Sequence, residues 1–357
     1  MKICIDIRTT LKSTIAGLGR FTVTLIEGLI SQRPDLELAL YYKKGFFEFK
    51  KKAPKFKGGK ITYVNGYKDK RISADICISS SYDFSPLQNS KYILIVQDLI
   101  PLMAERFSSE DAKKRLLDLL PKRLEQADCI VCASKSTLCD LESVYPWAKD
   151  RCRVIYNGVD ESFVRINNKV EAMSRVKKLG VHGDYILSVS AIEPRKNLIS
   201  LLHAFSIVKR DFPHLKLIIA GKKACSCSEI EKFMEVCEFK QDIQYLDYVS
   251  QDDLIYLYNG AEVFVYPSYY EGFGLPIVEA FACGAAVVTS NVSSMKEIGE
   301  GSAELVDPHS VEDIARGIKR VVSDRDYKNK LIECGLKKSR QLSAGEMVRK
   351  YLELLIS

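Results

Sequence analysis

The sequence predicts an α/β protein built from two doubly wound domains, and three observations predict it. At 357 residues the chain has the length of two ordinary domains. Apolar runs of strand character alternate with amphipathic helical stretches, and the alternation passes through the chain twice. At 7–20, 190–198 and 264–284 an apolar run meets a turn of glycine, proline or adjacent cations and then a helix. Parallel α/β sheets build their sites at such strand ends.

Composition narrows the class. Hydrophobic residues make up 46% of the chain, as in ordinary globular cores. No apolar run is long enough for a transmembrane helix. The start, MKICIDIRTT, enters a strand directly, so no signal peptide is expected. Eleven cysteines, an odd number, are scattered through strands and helices, which suits free thiols in a reducing cytoplasm. Cys129 and Cys132 form a CxxC inside a strand-like run, where period two sends them to opposite faces. No second Cys/His pair completes a zinc set. Net charge is +7, but residues 1–165 carry +8 and the remainder −1. Eight lysines and one glutamate fall in residues 43–60, with Phe46, Phe47, Phe49 and Phe56 interleaved. Two readings stay open there: a solvated loop and strand edge, or a peripheral contact with an anionic membrane or lipid-phosphate acceptor. No nucleic-acid motif accompanies the charge.

Taken in order, the first domain opens with a strand at 2–7. The turn AGLGRF follows, with Gly17 and Gly19, and then a helix with Leu18, Phe21, Leu25 and Leu29 on one face. A glycine turn here receives phosphates in doubly wound folds. Strands are expected at 36–42, 61–64, 75–79 and 92–96. The last feeds Gln97-Asp98-Leu99-Ile100-Pro101. A helix over 108–126 has Ser108 or Ser109 as N-cap. Then come strand 128–132, helix 135–143, strand 152–155 and the loop YNGVDESF, which closes the domain at 165.

The second domain, 166–342, starts with a basic helix at 168–179. Strand 184–190 ends in Glu193-Pro194-Arg195-Lys196-Asn197 before a helix with Leu198, Leu201, Leu202, Phe205 and Val208 on one face. Two adjacent cations at a strand-to-helix junction can grip a diphosphate, Arg as a planar fork and Lys as a point charge. Cations also oppose the dipole at a helix start, so their presence calls for an anion. Strand 215–220 ends in Gly221. Strand 243–247 leads to Tyr248, Val249 and Ser250, the last an N-cap for DDLIYLY. The central stretch FVYPSYYEGFGLPIVEAFACG, 264–284, reads strand, loop, helix. Gly272 and Gly274 permit a tight turn and close approach. Pro276 suits a first helical turn. Glu271 and Glu279 flank that start, eight residues apart. A strand at 285–289, a strand-like AELVDP and helices at 310–322, 326–339 and 344–356 complete the chain. Asp324 and Asp326 form a DxD between helices, read as a turn. No zinc motif, P-loop or GxSxG is found, and no metal is expected.

The EGFGLPIVE spacing resembles the signature of the family 4 retaining glycosyltransferases. EPRKN, QDLIP, the AGLGRF turn and the YNGVD loop resemble further motifs of that family, over nearly the whole chain. The resemblance implies the GT-B architecture: two Rossmann-like domains facing across a cleft, with helix 343–357 crossing back onto the first. It implies that Glu271 faces the donor sugar and Glu279 binds the nucleotide ribose. The amides of Phe273, Gly274 and Leu275 would hold sugar and diphosphate. Arg195 and Lys196 would neutralise the leaving diphosphate without a metal or cofactor. Gly17 would lie near the donor phosphates, and Tyr248 and Val249 near the base. Asp98 is retained, but Gln97 stands where the family has His, and all four histidines lie in the second half. The motif set looks most like the mannosyltransferase-type branch. The implied partners are a nucleotide-sugar donor, GDP-mannose first and UDP-sugars second, and a glycan or polyprenyl-linked acceptor. Rival readings are a sugar-nucleotide epimerase, a phosphorylase, and a non-catalytic nucleotide-sugar-binding subunit, the last suggested by Gln97.

Overall fold

The computed structural model describes residues 1–11, 17–43, 54–66, 73–222 and 228–356. Most of the Lys/Phe cluster at 43–60 falls outside them. Of its aromatics, Phe56 is described, and it packs against the first core. The chain divides into two units, 1–158 with 343–357, and 159–342.

The first unit holds a parallel sheet of seven strands: β1 Lys2–Asp6, β2 Glu37–Tyr42, β3 Lys60–Asn65, β4 Ile76–Ser79, β5 Lys91–Val96, β6 Cys129–Cys132 and β7 Cys152–Val154. Their order is β3-β2-β1-β4-β5-β6-β7, so the direction of winding reverses between β1 and β4. Both faces are covered, and period two therefore gives two cores. Ile3, Ile5 and Val131 point into one, with helices Leu18–Gln32 and Ala344–Ile356. Cys4, Cys77, Ile130 and Cys132 point into the other, under helix Glu110–Gln126. Cys129 belongs to the first core and Cys132 to the second, as a CxxC in a strand requires. The final helix packs on the first: a Cβ built on Gly28 would lie 2.3 Å from Val348 Cγ2. Only glycine permits that approach.

The second unit repeats the plan with β8 Tyr185–Val189, β9 Lys216–Ala220, β10 Ile243–Leu246, β11 Val263–Tyr266, β12 Val287–Ser290 and β13 Glu304–Val306. All neighbours run parallel in the order β10-β9-β8-β11-β12-β13, with the reversal between β8 and β11. Helices Leu198–Asp211 and Val311–Ser323 cover one face, burying Leu201, Phe205, Ile314 and Ile318 against Ile186, Leu217 and Val265.

The strands fall where the apolar runs placed them, to within a residue or two. Ser109 caps its helix by accepting from Ala112 N at 3.2 Å. Asp324 of the DxD caps helix Arg325–Gln341 by accepting from Tyr327 N at 2.9 Å. The structure differs from the expectation at several points. Helices Ser228–Val236 and Ser293–Gly299 lie outside the expected elements. The first unit ends at Gly158 rather than 165. Residues 159–165 bond into the second: Asn259 Nδ2 donates to Val164 O at 3.0 Å, and Asn259 Oδ1 accepts from Ile166 N at 2.6 Å. Among the described residues no helix is long and apolar enough to cross a membrane.

Candidate active site

The reversal between β8 and β11 brings together two loops far apart in sequence. From β8 the chain enters a 3₁₀ turn, Pro194–Lys196. Asn197 follows in the left-handed region at φ 57°. Its buried Nδ2 donates to Pro267 O at 3.0 Å and Pro308 O at 2.7 Å. Tyr269 N donates to Arg195 O at 2.9 Å. The loop after β11 is thus fastened beside the cationic turn. It then reverses at Gly274, φ 95°, into helix Leu275–Ala282, with Pro276 in the first turn.

Within this frame Glu271 is the centre of a charged cluster. Its Oε1 accepts from Lys196 Nζ at 2.7 Å and from Tyr266 Oη at 2.9 Å. Its Oε2 lies 2.8 Å from Arg195 Nη1. Lys196 Nζ also donates to Tyr266 Oη at 2.8 Å. The side chains of Arg195, Lys196 and Glu271 are 12%, 12% and 9% exposed. The backbone of Glu271 is fixed as well: its N–H donates to Ser293 Oγ at 3.1 Å, and its carbonyl accepts from Ser294 Oγ at 2.9 Å. Arg195 reaches further, to Tyr270 O at 2.6 Å and Glu193 Oε1 at 2.5 Å.

The electrostatics follow from this packing. Burial pushes the Glu271 carboxyl up, but Lys196 and Arg195 overcome it and hold it at about 2. Burial works against the charge on Lys196, and Glu271 raises it above the ordinary lysine value regardless. Burial, reinforced by the Glu271 charge, pushes Tyr266 up to about 12. Four groups are therefore locked as carboxylate, ammonium, guanidinium and neutral phenol across the working pH range. Lys196 uses two of its three donors within the cluster. The two cations meet one buried carboxylate and the part-exposed Glu193, so a further anion would take the place of Glu193 on Arg195.

Glu279 sits on the helix that starts at Gly274. It is buried, and one oxygen accepts from Tyr258 Oη at 3.0 Å. Phe273 is buried at the same turn, and Leu275 is half-buried. Tyr248 lies two strands away, after β10. It is exposed, with the Lys222 ammonium 5.2 Å from its ring. Val249 follows it, half-buried. Gly221, which ends β9, has φ 144°, and a Cβ there would fall 1.9 Å from Ser190 O. The turn needs glycine.

The predicted residues of the first unit form a separate set. Gln97 pairs with Asn157 through both amides: Asn157 Nδ2 donates to Gln97 Oε1 at 2.7 Å, and Gln97 Nε2 to Asn157 Oδ1 at 3.2 Å. Asp98 Oδ1 accepts from Ile100 N at 3.1 Å, starting the turn Ile100–Met103. Gly17 is the N-cap of helix Leu18–Gln32 at φ 47°, with no side-chain cap. Among the described residues no group of His, Cys, Asp and Glu is arranged to hold a metal.

Sequence reasoning missed Tyr266, Tyr258, Ser293 and Ser294 as parts of the site. Tyr266 and Tyr258 were read as strand and helix positions. Their hydroxyls matter because the loop after β11 folds Glu271 back onto Tyr266, and because helix packing sets Tyr258 against Glu279. Ser293, at φ 48°, carries no sequence signal.

Comparison with known proteins agrees with this geometry. Residues 170–338 match the family model of the group 1 glycosyl transferases, and residues 88–163 that of Glycosyltransferase Family 4. The serotype-specific mannosyltransferase WbdA of Escherichia coli is 31% identical over 274 residues, 74% of this chain but 34% of that protein. The chain thus spans about a third of the length of the first curated relatives it matches. The O-antigen chain mannosyltransferase B of E. coli is 25% identical, covering 93% of this chain and 94% of that one. In structure, sucrose-phosphate synthase from Thermosynechococcus elongatus superposes with a TM-score of 0.77 at 17% identity, over 99% of both chains. Anabaena HepE in complex with UDP and glucose gives 0.76 at 16%, over 100% of both. These structural likenesses speak for the GT-B fold. Glycosyltransferase family models match residues of both units, and the chain belongs to the family 4 glycosyltransferases; the relatives it matches include O-antigen mannosyltransferases.

Proposed function

We propose that this protein transfers a hexose, mannose first, from a nucleotide diphosphate sugar to a glycan or lipid-linked acceptor, with retention of configuration and without a metal or cofactor. The observation that carries this reading is the buried cluster of Arg195 and Lys196 on Glu271, at the switch point of the second sheet. Breaking a glycosyl–phosphate bond places negative charge on the diphosphate and positive charge on the sugar. Arg195 and Lys196 stabilise the first, with the amides at the start of helix Leu275–Ala282. Glu271, held ionised, fixes sugar hydroxyls and lies near the second. Glu279 anchors the ribose, a positioning role, and Tyr248 and Val249 flank the base. Gly17 lies near the donor phosphates, and Asp98 is the catalytic residue of the first unit. The departing phosphate takes the acceptor proton, because the cluster offers no group that titrates near neutrality.

The non-catalytic reading draws on Gln97. The amide pair with Asn157 supports activity instead: it keeps hydrogen bonding at that position without an imidazole. The test is a donor panel, GDP-sugars against UDP-sugars, scored by thermal shift and by slow donor hydrolysis. GDP-mannose is expected to stabilise and be hydrolysed. Stabilisation without turnover of any donor would favour a binding subunit. A trapped sugar–enzyme adduct would count against a transfer in which the departing phosphate takes the acceptor proton directly.

A further inference from the structure

Among the described residues three that are not glycine have a positive φ. Two of them, Asn89 and Asn197, are of the type that tolerates it. The third is Ser293, at φ 48°. Serine is strained in this region, where glycine is not. Such strain persists only where the surroundings enforce it. At Ser293 the neighbour is the loop that carries Glu271.

Ser293 and Ser294 open the short helix Ser293–Gly299, which follows β12. A serine at a helix start ordinarily accepts an N–H of its own helix, as Ser109 and Ser250 do. Here both hydroxyls turn to one residue of another loop. Ser293 Oγ accepts from Glu271 N at 3.1 Å, and Ser294 Oγ, on a buried residue, donates to Glu271 O at 2.9 Å. The main chain of Glu271 is thus gripped at both its polar groups.

The side chain of Glu271 is held differently, chiefly by charge. A diphosphate that displaces Glu193 from Arg195 and takes the third donor of Lys196 shares both cations with Glu271. Their hold on the carboxylate weakens just as the sugar arrives. The serine bonds carry no charge, so an anion does not compete for them.

We propose that Ser293, with Ser294 beside it, is a positioning residue that keeps Glu271 in place while its cations turn to the diphosphate. The inference rests on the transfer reading above and deepens it. It makes the strained turn part of the bound state, so the hydroxyl matters more to kcat than to donor affinity.

The test compares Ser293→Gly with Ser293→Ala in the full chain. Both remove the hydroxyl. Glycine relieves the left-handed backbone and alanine keeps its strain, so the glycine variant is expected to melt at the higher temperature. The donor is GDP-mannose, or the member of the donor panel that the parent hydrolyses fastest. Its kcat is expected to fall about tenfold in both variants alike, the loss of one positioning hydrogen bond, with KM little changed. Amide hydrogen exchange at Glu271, followed by mass spectrometry with and without GDP, is expected to quicken about tenfold in both. If kcat instead follows melting temperature, higher in glycine than in alanine, Ser293 serves the fold alone and the proposal is overturned. A parent-like kcat in Ser293→Gly, or a loss carried by KM, overturns it too. Unchanged exchange at Glu271 overturns it whatever turnover does. If the parent turns over no donor, the transfer reading falls, and exchange that quickens in both variants still upholds the hold on Glu271.

Discussion

In the first unit, Asp6 ends β1 and binds one arginine, Arg8, with Ser79 of β4 behind it. In the second unit, Arg195 and Lys196 follow β8 and share one carboxylate, Glu271, supplied from beyond β11. Both sheets thus set a carboxylate–arginine pair at the reversal of winding. They differ in burial. One arginine answers Asp6, and it is 20% exposed and can turn to water. Two nearly buried cations answer Glu271, and one of them, Arg195, also pairs with the part-exposed Glu193.

The sharpest way to break this contrast is to remove each acid. Glu271→Ala leaves Lys196 without its carboxylate and Arg195 with Glu193 alone, and breaking a buried pair typically costs about 3–5 kcal/mol. Asp6→Ala strands one partly exposed cation, and a loss of about 2 kcal/mol is expected. Urea unfolding of both variants measures the difference, and equal losses would erase the distinction. Glu271→Gln, closer in shape, should keep nucleotide binding and lose transfer. If it turns over like the parent, Glu271 has no part in the chemistry.

Acid should act on the second unit in the same sense. The folded pKa of Glu271, about 2, lies below the ordinary 4.5. A depressed carboxyl contributes stability that is fully present above its unfolded value and is lost as pH falls from about 4.5 toward 2. The size is about 3 kcal/mol. Unfolding free energies between pH 2 and 6 should therefore fall more steeply for the parent than for Glu271→Gln. Parallel curves would mean the ion pairs add nothing. Glu279→Ala comes next in size. It removes the acceptor of Tyr258 Oη and the proposed ribose contact, so nucleotide affinity should drop about tenfold by calorimetry, one charged hydrogen bond. Unchanged affinity would leave Glu279 a structural acid.

These contrasts mark how far the sequence could be read. Strand and helix positions were legible because apolar period and cap residues are local signals, as at Ser109 and Ser250. Arg195, Lys196, Glu271 and Glu279 stood out as charges beside glycine and proline turns. Their direct pairing did not, since 75 residues separate Lys196 from Glu271 and only the adjacency of β8 and β11 joins them. Tyr266 was hidden because its reach to Glu271, five residues on, depends on how the loop after β11 folds back. The unit boundary was misjudged because nothing local in residues 159–165 reveals that Asn259 holds them. Helix Ser228–Val236 is short, and its Ile230 and Phe233 gain meaning only on the core they touch.

The smallest expected effect lies in the first unit. Gln97 and Asn157 exchange two amide hydrogen bonds, and neither group titrates. Gln97→His substitutes an imidazole, which bonds Asn157 through one nitrogen at a time. Asn157 is 4% exposed, so its unmet amide group costs about 1 kcal/mol at pH 8. Burial also disfavours the imidazolium, depressing the folded pKa below the ordinary value near 6.5. A base depressed in this way contributes stability above that value and loses it as pH falls through the interval. The variant should therefore acquire a decline in unfolding free energy between about pH 6.5 and 5.5 that the parent lacks. A variant curve that runs parallel to the parent's would mean that the position is open to water and the amide pair holds nothing. A decline as expected gives a reason for glutamine here: hydrogen bonding beside Asp98 that stays constant with pH.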